Sequence, residues 1–277
     1  MTFRLVADSS ANLRSIEGVD FASVPLKIIT TAAEYVDDAA LDVAAMVEAL
    51  QTTKGKSGTS CPNISDWLDA FSGADRIIAI TITSNLSGAY TSCTQAAREY
   101  EQAHPGAKVF VIDSLSTGPE MALILEKLAA WHHEGMDFDT MCQKATDYCT
   151  HTHLSFCLES LTNLARNGRV SPAVAKIAGV LGIRLVGVAS SEGTLEPLHK
   201  PRGEKKALEA LYEDMLQRGY QGGKVRMAHC FHPEAASALA ARIRQDYPNA
   251  PIHAEECTGL CSFYAEQGGL LVGYEDL

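Results

Sequence analysis

The stretch of residues 76–97, RIIAITITSNLSGAYTSCTQAA, decides the expected fold. Residues 77–82 form a short, β-branched, uncharged run, which is typical of a strand buried on both faces. Hydroxyl-bearing residues follow at once, and then come Gly88 and a segment with helical spacing. The stretch therefore predicts a strand, a hydroxyl-rich turn and a helix. In open α/β sheets, ligands bind at such turns because strand ends and helix N-termini meet there.

Two further predicted strands end in similar polar turns. Residues 3–7 lead into Asp8-Ser9-Ser10, and residues 108–112 lead into Asp113-Ser114. Since these strands alternate with helical segments, the pattern predicts an α/β fold with a parallel sheet whose ligand-binding edge gathers the three turns. Asp-Ser pairs also form ordinary turns, so a purely structural role for both aspartates stays open.

The rest of the chain gives a coarse map of elements. We expect helices over residues 42–50, 64–71, 120–131, 139–149, 173–181, 205–216 and 233–244. We expect strands over 21–29, 154–158, 224–230, 251–256 and 270–273, a hairpin of 183–189 with 194–199, and a polar loop over 51–60. The character of the sequence changes near residue 150. We therefore expect an N-terminal α/β domain over 1–150, with 52–75 able to pack against a C-terminal α/β domain over 151–277.

Composition excludes several classes of protein. The 277 residues carry a net charge of −11, which argues against general binding to nucleic acid or to anionic membranes. No apolar run reaches the roughly 18 residues that a transmembrane helix requires. The first residues lead directly into a predicted strand, and no secretory signal is visible, so we expect a cytoplasmic protein. The eight cysteines include no CxxC pair and are expected to be reduced.

Several motifs together, in order and spacing, resemble one known family. They are Asp8-Ser9-Ser10, Thr59-Ser60-x-Pro62, SNLSGAY at 84–90, Asp113-Ser114, NGRVS at 167–171, Gly193 and Arg202-Gly203-x-Lys205-Lys206-Ala207. The chain resembles the DegV family over essentially its whole length. Studied members of that family are fatty-acid-binding proteins that serve a bacterial fatty acid kinase.

The resemblance implies a two-domain α/β protein with a ligand tunnel between an N-terminal parallel sheet and a C-terminal α/β domain. It implies a carrier without catalytic residues, metal or cofactor, which holds one long-chain fatty acid. A separate ATP-dependent kinase would convert the presented carboxylate to an acyl phosphate for phospholipid metabolism. Such a carrier is compatible with transient membrane contact but not with a nucleic-acid partner.

The resemblance also assigns site residues. The implied ligand-binding set is Thr59, Ser60, Ser84, Ser87, Gly88, Asp113, Ser114, Cys257 and Thr258. The implied kinase-binding set is Arg169, Arg202, Lys205 and Lys206. The sequence departs from the family at two places. The usual His-Thr-Gly-Pro-Gly run reads Cys257-Thr258-Gly259-Leu260-Cys261, and the usual Lys-Pro pair before the hairpin reads Arg184-Leu185.

These residue types suit a carboxylate ligand. A buried carboxylate needs hydrogen-bond donors, which the hydroxyls of Ser60 and Ser87 and the N–H groups near Gly88 provide. An acyl tail contributes about 0.8 kcal/mol per buried CH₂, so the tail sets affinity and the hydroxyls set orientation. Residues 173–181 and 260–264, rich in small side chains, are candidate tunnel walls, although the sequence alone favours ordinary close helix packing.

Other interpretations remain open at this level. The same serines and threonines are common helix caps. A hydrolase or phosphotransferase using Ser87 or Asp113 is the main alternative function, and an interaction protein with an incidental cavity is another. Cys149, His151, His153 and Cys157 could form a weak zinc site, but their spacing is unlike the common zinc patterns.

Overall fold

The computed structural model describes residues 1–52, 55–171, 173–174 and 182–277. Its strands are β1 (Phe3–Asp8), β2 (Phe21–Val24), β3 (Lys27–Thr30), β4 (Glu34–Val36), β5 (Ser57–Ser60), β6 (Arg76–Thr81), β7 (Lys108–Asp113), β8 (Thr152–Leu158), β9 (Leu185–Ala189), β10 (Leu195–His199), β11 (Val225–His229), β12 (Ile252–Glu256) and β13 (Leu270–Glu275). Its helices are α1 (Val43–Thr52), α2 (Ile64–Phe71), α3 (Ala89–Ala103), α4 (Pro119–His133), α5 (Phe138–Tyr148), α6 (Thr162–Arg166), α7 (Glu204–Gln217), α8 (Pro233–Asp246) and α9 (Gly259–Ala265).

The first sheet is parallel and has the order β2-β1-β6-β7. Residues 77–80 of β6 are fully buried, because helices cover both faces of the sheet. This arrangement confirms the predicted parallel sheet. It also places the polar ends of β1, β6 and β7 next to one another at one edge.

The second sheet is mixed and has the order β10-β9-β8-β13-β11-β12. The predicted hairpin is confirmed, since β9 and β10 pair antiparallel. Helix α4 packs against β8, β11 and β13 of this sheet and also against β6 of the first. The approach is close: a Cβ on Gly273 of β13 would lie 2.5 Å from the backbone nitrogen of Glu120. Helix α4 thus holds the two sheets in a fixed relation.

A small antiparallel sheet of order β4-β3-β5 corrects two expectations. Residues 57–60 form β5 rather than a loop. Their half-buried Ser-Gly-Thr-Ser sequence carries no apolar alternation, so the edge strand gave no sequence signal. Residues 21–29 form two strands instead of one, because Pro25 cannot donate to a ladder and the chain crosses there from the first sheet to the small one.

Two expectations, a helix over 173–181 and a domain boundary near residue 150, are not tested by the described residues. Most of the helix expected over 173–181 lies outside the described residues. The domain boundary near residue 150 stays a prediction. In the described part of the chain, no helix has both the length and the apolar character that crossing a bilayer requires.

Candidate functional site

Asp8 connects the end of β1 to the end of β6 through its side chain, next to the predicted binding edge. Its buried carboxylate accepts hydrogen bonds from the N–H of Ile82 at 2.8 Å and from the N–H of Ser10 at 3.1 Å. Burial raises the pKa of this carboxyl to about 6, although the bonds from Ser10 and Ile82 oppose the shift. The geometry gives Asp8 the structural role that the sequence left open.

A cavity of about 310 Å³ lies between the first and second sheets, at the carboxyl end of β6. It is lined by Leu26, Thr59, Ser60, Cys61, Ile82, Leu86, Ser87, Gly88, Thr117, Leu154, Phe156, Leu158, Leu164, Arg169, Leu195, Leu260, Cys261, Tyr264, Ala265 and Leu271. We call it the first cavity. Most of its lining is apolar, and among the described lining residues Arg169 alone carries a full charge. Both halves of the sequence contribute to its walls.

The two motifs that carried the resemblance meet at the polar part of this cavity. Thr59 and Ser60 end β5, and Ser87 and Gly88 precede α3. The hydroxyl of Ser60 donates to the carbonyl of the next residue at 3.2 Å, and that of Ser87 accepts the N–H of Ala89 at 3.2 Å. Gly88 is the N-cap of α3 and supplies no side-chain bond, so the first-turn N–H groups after that of Ala89 are left for a ligand.

Ser92 holds these two motifs together. Its hydroxyl, on the first turn of α3, donates to the carbonyl of Pro62 at 2.8 Å and accepts from Nε1 of the buried Trp67 at 3.1 Å. The contact between the motifs is close, because a Cβ on Gly88 would lie 3.2 Å from Sγ of Cys61. Any larger residue at Gly88 would therefore press on the segment that carries Ser60.

Arg169 and Tyr264 complete the polar end. Arg169 Nε donates to the carbonyl of Leu86 at 3.2 Å, Nη1 donates to the carbonyl of Asn167, and the guanidinium lies 6.0 Å from the Tyr264 ring centre. Within the described residues, Nη2 of Arg169 has no hydrogen-bond partner. The Tyr264 hydroxyl is 2.7 Å from that of Thr59, and burial raises its pKa. From sequence, Arg169 was placed in the kinase-binding set and Tyr264 only in a candidate tunnel wall. The local sequence does not show which way either side chain points.

The other residues of the predicted ligand set do not line the first cavity. Ser84 is exposed, and its N–H donates to Asp113 Oδ1 at 3.1 Å. The Ser114 hydroxyl donates to the carbonyl of Ser116 at 3.0 Å. Cys257 is buried, and the N–H of Thr258 donates to Asn12 Oδ1 at 2.6 Å. The structure therefore brings Thr59, Ser60, Ser87 and Gly88 together and leaves these five elsewhere.

Helix α9 forms one wall and is fixed at its start by a buried carboxylate. Asp37, which is fully buried, accepts the N–H of Gly259 at 2.8 Å and the N–H of Leu260 at 3.0 Å. Arg14 Nη2 lies 2.5 Å from Asp37 Oδ1. Gly259 is required by space, since a Cβ there would lie 2.5 Å from Leu41 Cδ2 and 2.8 Å from Asp37 Oδ1.

The remaining predicted partner residues lie apart from the cavity. Arg202, Lys205 and Lys206 are exposed near the start of α7. Within the residues that the structure describes, these three side chains form no ion pair. They therefore present positive charge to solvent on a chain whose net charge is −11.

The histidines considered for zinc bind a carboxylate instead. His151 Nδ1 and His153 Nε2 each lie 2.9 Å from one oxygen of Asp276. No cluster of three or more side chains suited to a metal ion occurs in the described ranges. These contacts tie the start of β8 to the residue after β13.

Glu120, at the start of α4, is a buried carboxyl whose pKa is raised to about 7, chiefly by burial. The Ser116 hydroxyl donates to Oε2, and Thr152 Oγ1 donates to Oε1 at 2.9 Å. The carboxyl thus connects the loop after β7 of the first sheet to the start of β8 of the second. A raised pKa means that the folded state holds this proton more tightly than the unfolded state. Its stabilising contribution is therefore complete below the ordinary glutamate pKa and is lost as the pH rises through about 7.

We expect Glu120→Gln to flatten the pH dependence of stability. Between about pH 5 and pH 8, the wild-type free energy of unfolding should fall by on the order of 3 kcal/mol more than that of the variant. Urea unfolding followed by circular dichroism across this range measures the difference. Parallel pH profiles for the two proteins would show that Glu120 does not titrate in this window.

The sequence is similar to known proteins along its whole length. A family model described as "Uncharacterised protein, DegV family" matches residues 2–275. A DegV domain-containing protein, spr0652, of Streptococcus pneumoniae (strain ATCC BAA-255 / R6) is 42% identical over 279 aligned residues, which cover 99% of each chain.

Two solved structures are similar over their whole length. A DegV family protein from Eubacterium eligens, loaded with heptadecanoic acid, has a TM-score of 0.97 and 44% identity, with 99% of each chain covered. The Fatty Acid Kinase (Fak) B3 protein of Streptococcus pneumoniae, loaded with linoleic acid, has a TM-score of 0.98 and 42% identity, with 100% of each chain covered.

Proposed function

This chain belongs to the DegV family, and from that membership we propose that it is a carrier for a long-chain fatty acid. It holds the acyl tail in the first cavity and presents the carboxylate to a separate fatty acid kinase. The observation that carries the proposal is the division of the first cavity into an apolar body and one polar end. Both solved relatives hold a long, unbranched fatty acid, which is the ligand shape that this division suits.

The apolar body accounts for affinity. Leucines from β8, β10, α6 and α9 line it, together with Phe156 and Ile82. Each methylene buried there contributes about 0.8 kcal/mol, so a long tail contributes on the order of 10 kcal/mol before the cost of ordering. The volume of about 310 Å³ lies at the lower end of the range for small-molecule sites.

The polar end accounts for orientation. A carboxylate in an apolar cavity is costly unless it gains donors and a positive charge. Nη2 of Arg169, the hydroxyls of Ser60 and Ser87, and the first-turn N–H groups of α3 after that of Ala89 offer both at one end of the first cavity. Hydroxyl and N–H donors leave an oxygen lone pair for attack on the terminal phosphoryl group of ATP, which the kinase would hold.

A catalytic role for these serines finds no support in the contacts. A nucleophilic serine requires an adjacent base. In the described part of the chain, neither Ser60 nor Ser87 is hydrogen-bonded to a histidine or a carboxylate; their partners are backbone groups. In this proposal the carrier supplies the bound substrate, and the chemistry belongs to the kinase. The exposed cations Arg202, Lys205 and Lys206 are the surface that we assign to kinase contact.

The test is to identify what the purified chain carries. We expect organic extraction of freshly purified protein, followed by mass spectrometry, to give about one fatty acid per chain. Adding ATP to the isolated chain should leave the fatty acid unchanged, and adding a fatty acid kinase should convert it to acyl phosphate. A protein that takes up no fatty acid, or that turns over acyl or phosphoryl substrates alone, would overturn the proposal.

A further inference from the structure

A second cavity lies next to the first, and one side chain lines both. The second cavity has a volume of about 600 Å³, nearly twice that of the first. Its lining includes the apolar residues Phe110, Ile112, Leu115 and Ala189 and polar groups such as Asp113, Glu120 and Ser190. Among the described lining residues, Leu154 of β8 alone lines both cavities. Its side chain is 2% exposed.

Strand β8 gives the first cavity a direction. Leu154, Phe156 and Leu158 alternate along the strand, so they share one face, and all three line the first cavity. Leu158 is the last residue of β8. The chain then passes through residues 159–161 into α6, which ends three residues before Arg169. Leu154 lies four residues back along the strand, at a distance of roughly 13 Å. An acyl tail whose carboxylate is at Arg169 would therefore run along β8 toward Leu154.

We propose that Leu154 limits the length of the acyl chain that the protein accepts, because its side chain separates the first cavity from the second. This inference rests on the proposed function. In the wild-type protein the tail ends against Leu154. When that side chain is shortened, the tail can continue into the second cavity, where apolar groups of β7 and β9 are available to cover it.

The experiment compares two alanine variants. Purified wild type, Leu154→Ala and Leu158→Ala are delipidated and each is incubated with an equimolar mixture of saturated fatty acids from myristic to behenic acid. Mass spectrometry then measures the ratio of bound behenic to bound stearic acid. Each methylene newly buried favours binding by about fourfold. We expect the ratio to rise at least about tenfold in Leu154→Ala, since behenic acid is four methylenes longer than stearic acid.

Leu158→Ala is the matched control. Leu158 is on the same face of the same strand, is also 2% exposed, and lines only the first cavity. Its substitution removes the same atoms but opens no connection, so its ratio should stay within about threefold of wild type. If Leu154→Ala fails to fold, Leu154→Val should shift the ratio in the same direction by at least about twofold.

The outcomes separate the two proposals. An unchanged ratio in a folded Leu154 variant that still binds stearic acid, or an equal rise in Leu158→Ala, overturns the role of Leu154 and leaves the carrier function intact. A wild-type protein that binds none of the acids overturns the carrier function itself. A rise confined to the Leu154 variants supports the inference.

Discussion

Replacing Asp37 by Ala should lower the free energy of unfolding by about 3–5 kcal/mol, because the substitution removes a fully buried carboxylate and leaves the buried N–H groups of Gly259 and Leu260 without an acceptor. The carboxylate is fully buried and serves three groups at once: Arg14 and the N–H groups of Gly259 and Leu260. Without it, the first turn of α9 would keep two N–H groups in a dry interior. Because α9 forms a wall of the first cavity, fatty acid binding should weaken as well.

Asp38→Ala is the matched control for this variant. Asp38 is adjacent but exposed, and among the residues that the structure describes its carboxylate accepts only the N–H of Ala40, at 2.8 Å. Its loss should cost about 1 kcal/mol or less. Equilibrium unfolding in urea measures both changes. Equal losses in the two variants would mean that the contacts of Asp37 with α9 do not stabilise the fold.

The double substitution Ser60→Ala with Ser87→Ala should weaken fatty acid binding by about 10²–10⁴-fold. Each hydrogen bond to a charged group is worth about 1.5–3 kcal/mol, and two of them are removed. A fatty alcohol of the same length gains no such charged bonds, so its affinity should change little. Isothermal titration with the acid and with the alcohol therefore separates the head-group contribution from that of the tail.

Ser84→Ala is the control for the double variant. Ser84 belongs to the same SNLSGAY segment but is exposed and does not line the first cavity. Its substitution should leave both affinities unchanged. If the double variant bound acid and alcohol with equal losses, the two hydroxyls would shape the first cavity rather than bind the carboxylate.

The core of the fold could be predicted from sequence because its signal is local. A strand buried on both faces must be continuously apolar, and residues 77–82 have that composition. Strand β5 could not be predicted in this way. Its residues are small and polar, and they are extended only because they pair with β3, a contact between distant parts of the chain.

The candidate site shows the same limit. The sequence predicted that the polar strand ends would lie at one edge, and they do. It could not predict which side chains turn toward the first cavity. Ser114 turns away because its hydroxyl bonds within its own loop, whereas Arg169 turns in because Leu86 and Tyr264 hold its guanidinium. The direction of a side chain depends on tertiary packing, and residue spacing along the chain does not predict it.

Strand β13 spans residues 270–275, yet it occupies an interior position of the second sheet, between β8 and β11. During synthesis, the nascent chain must therefore keep a gap in that sheet until these residues leave the ribosome. The parallel first sheet, complete by residue 113, can fold well before then. Until then, the edge of β8 that pairs with β13 has no partner strand, and unpaired strand edges are sites of aggregation. Under the proposed function, a fatty acid could be held only once β13 is in place, since Leu271 is part of the wall of the first cavity.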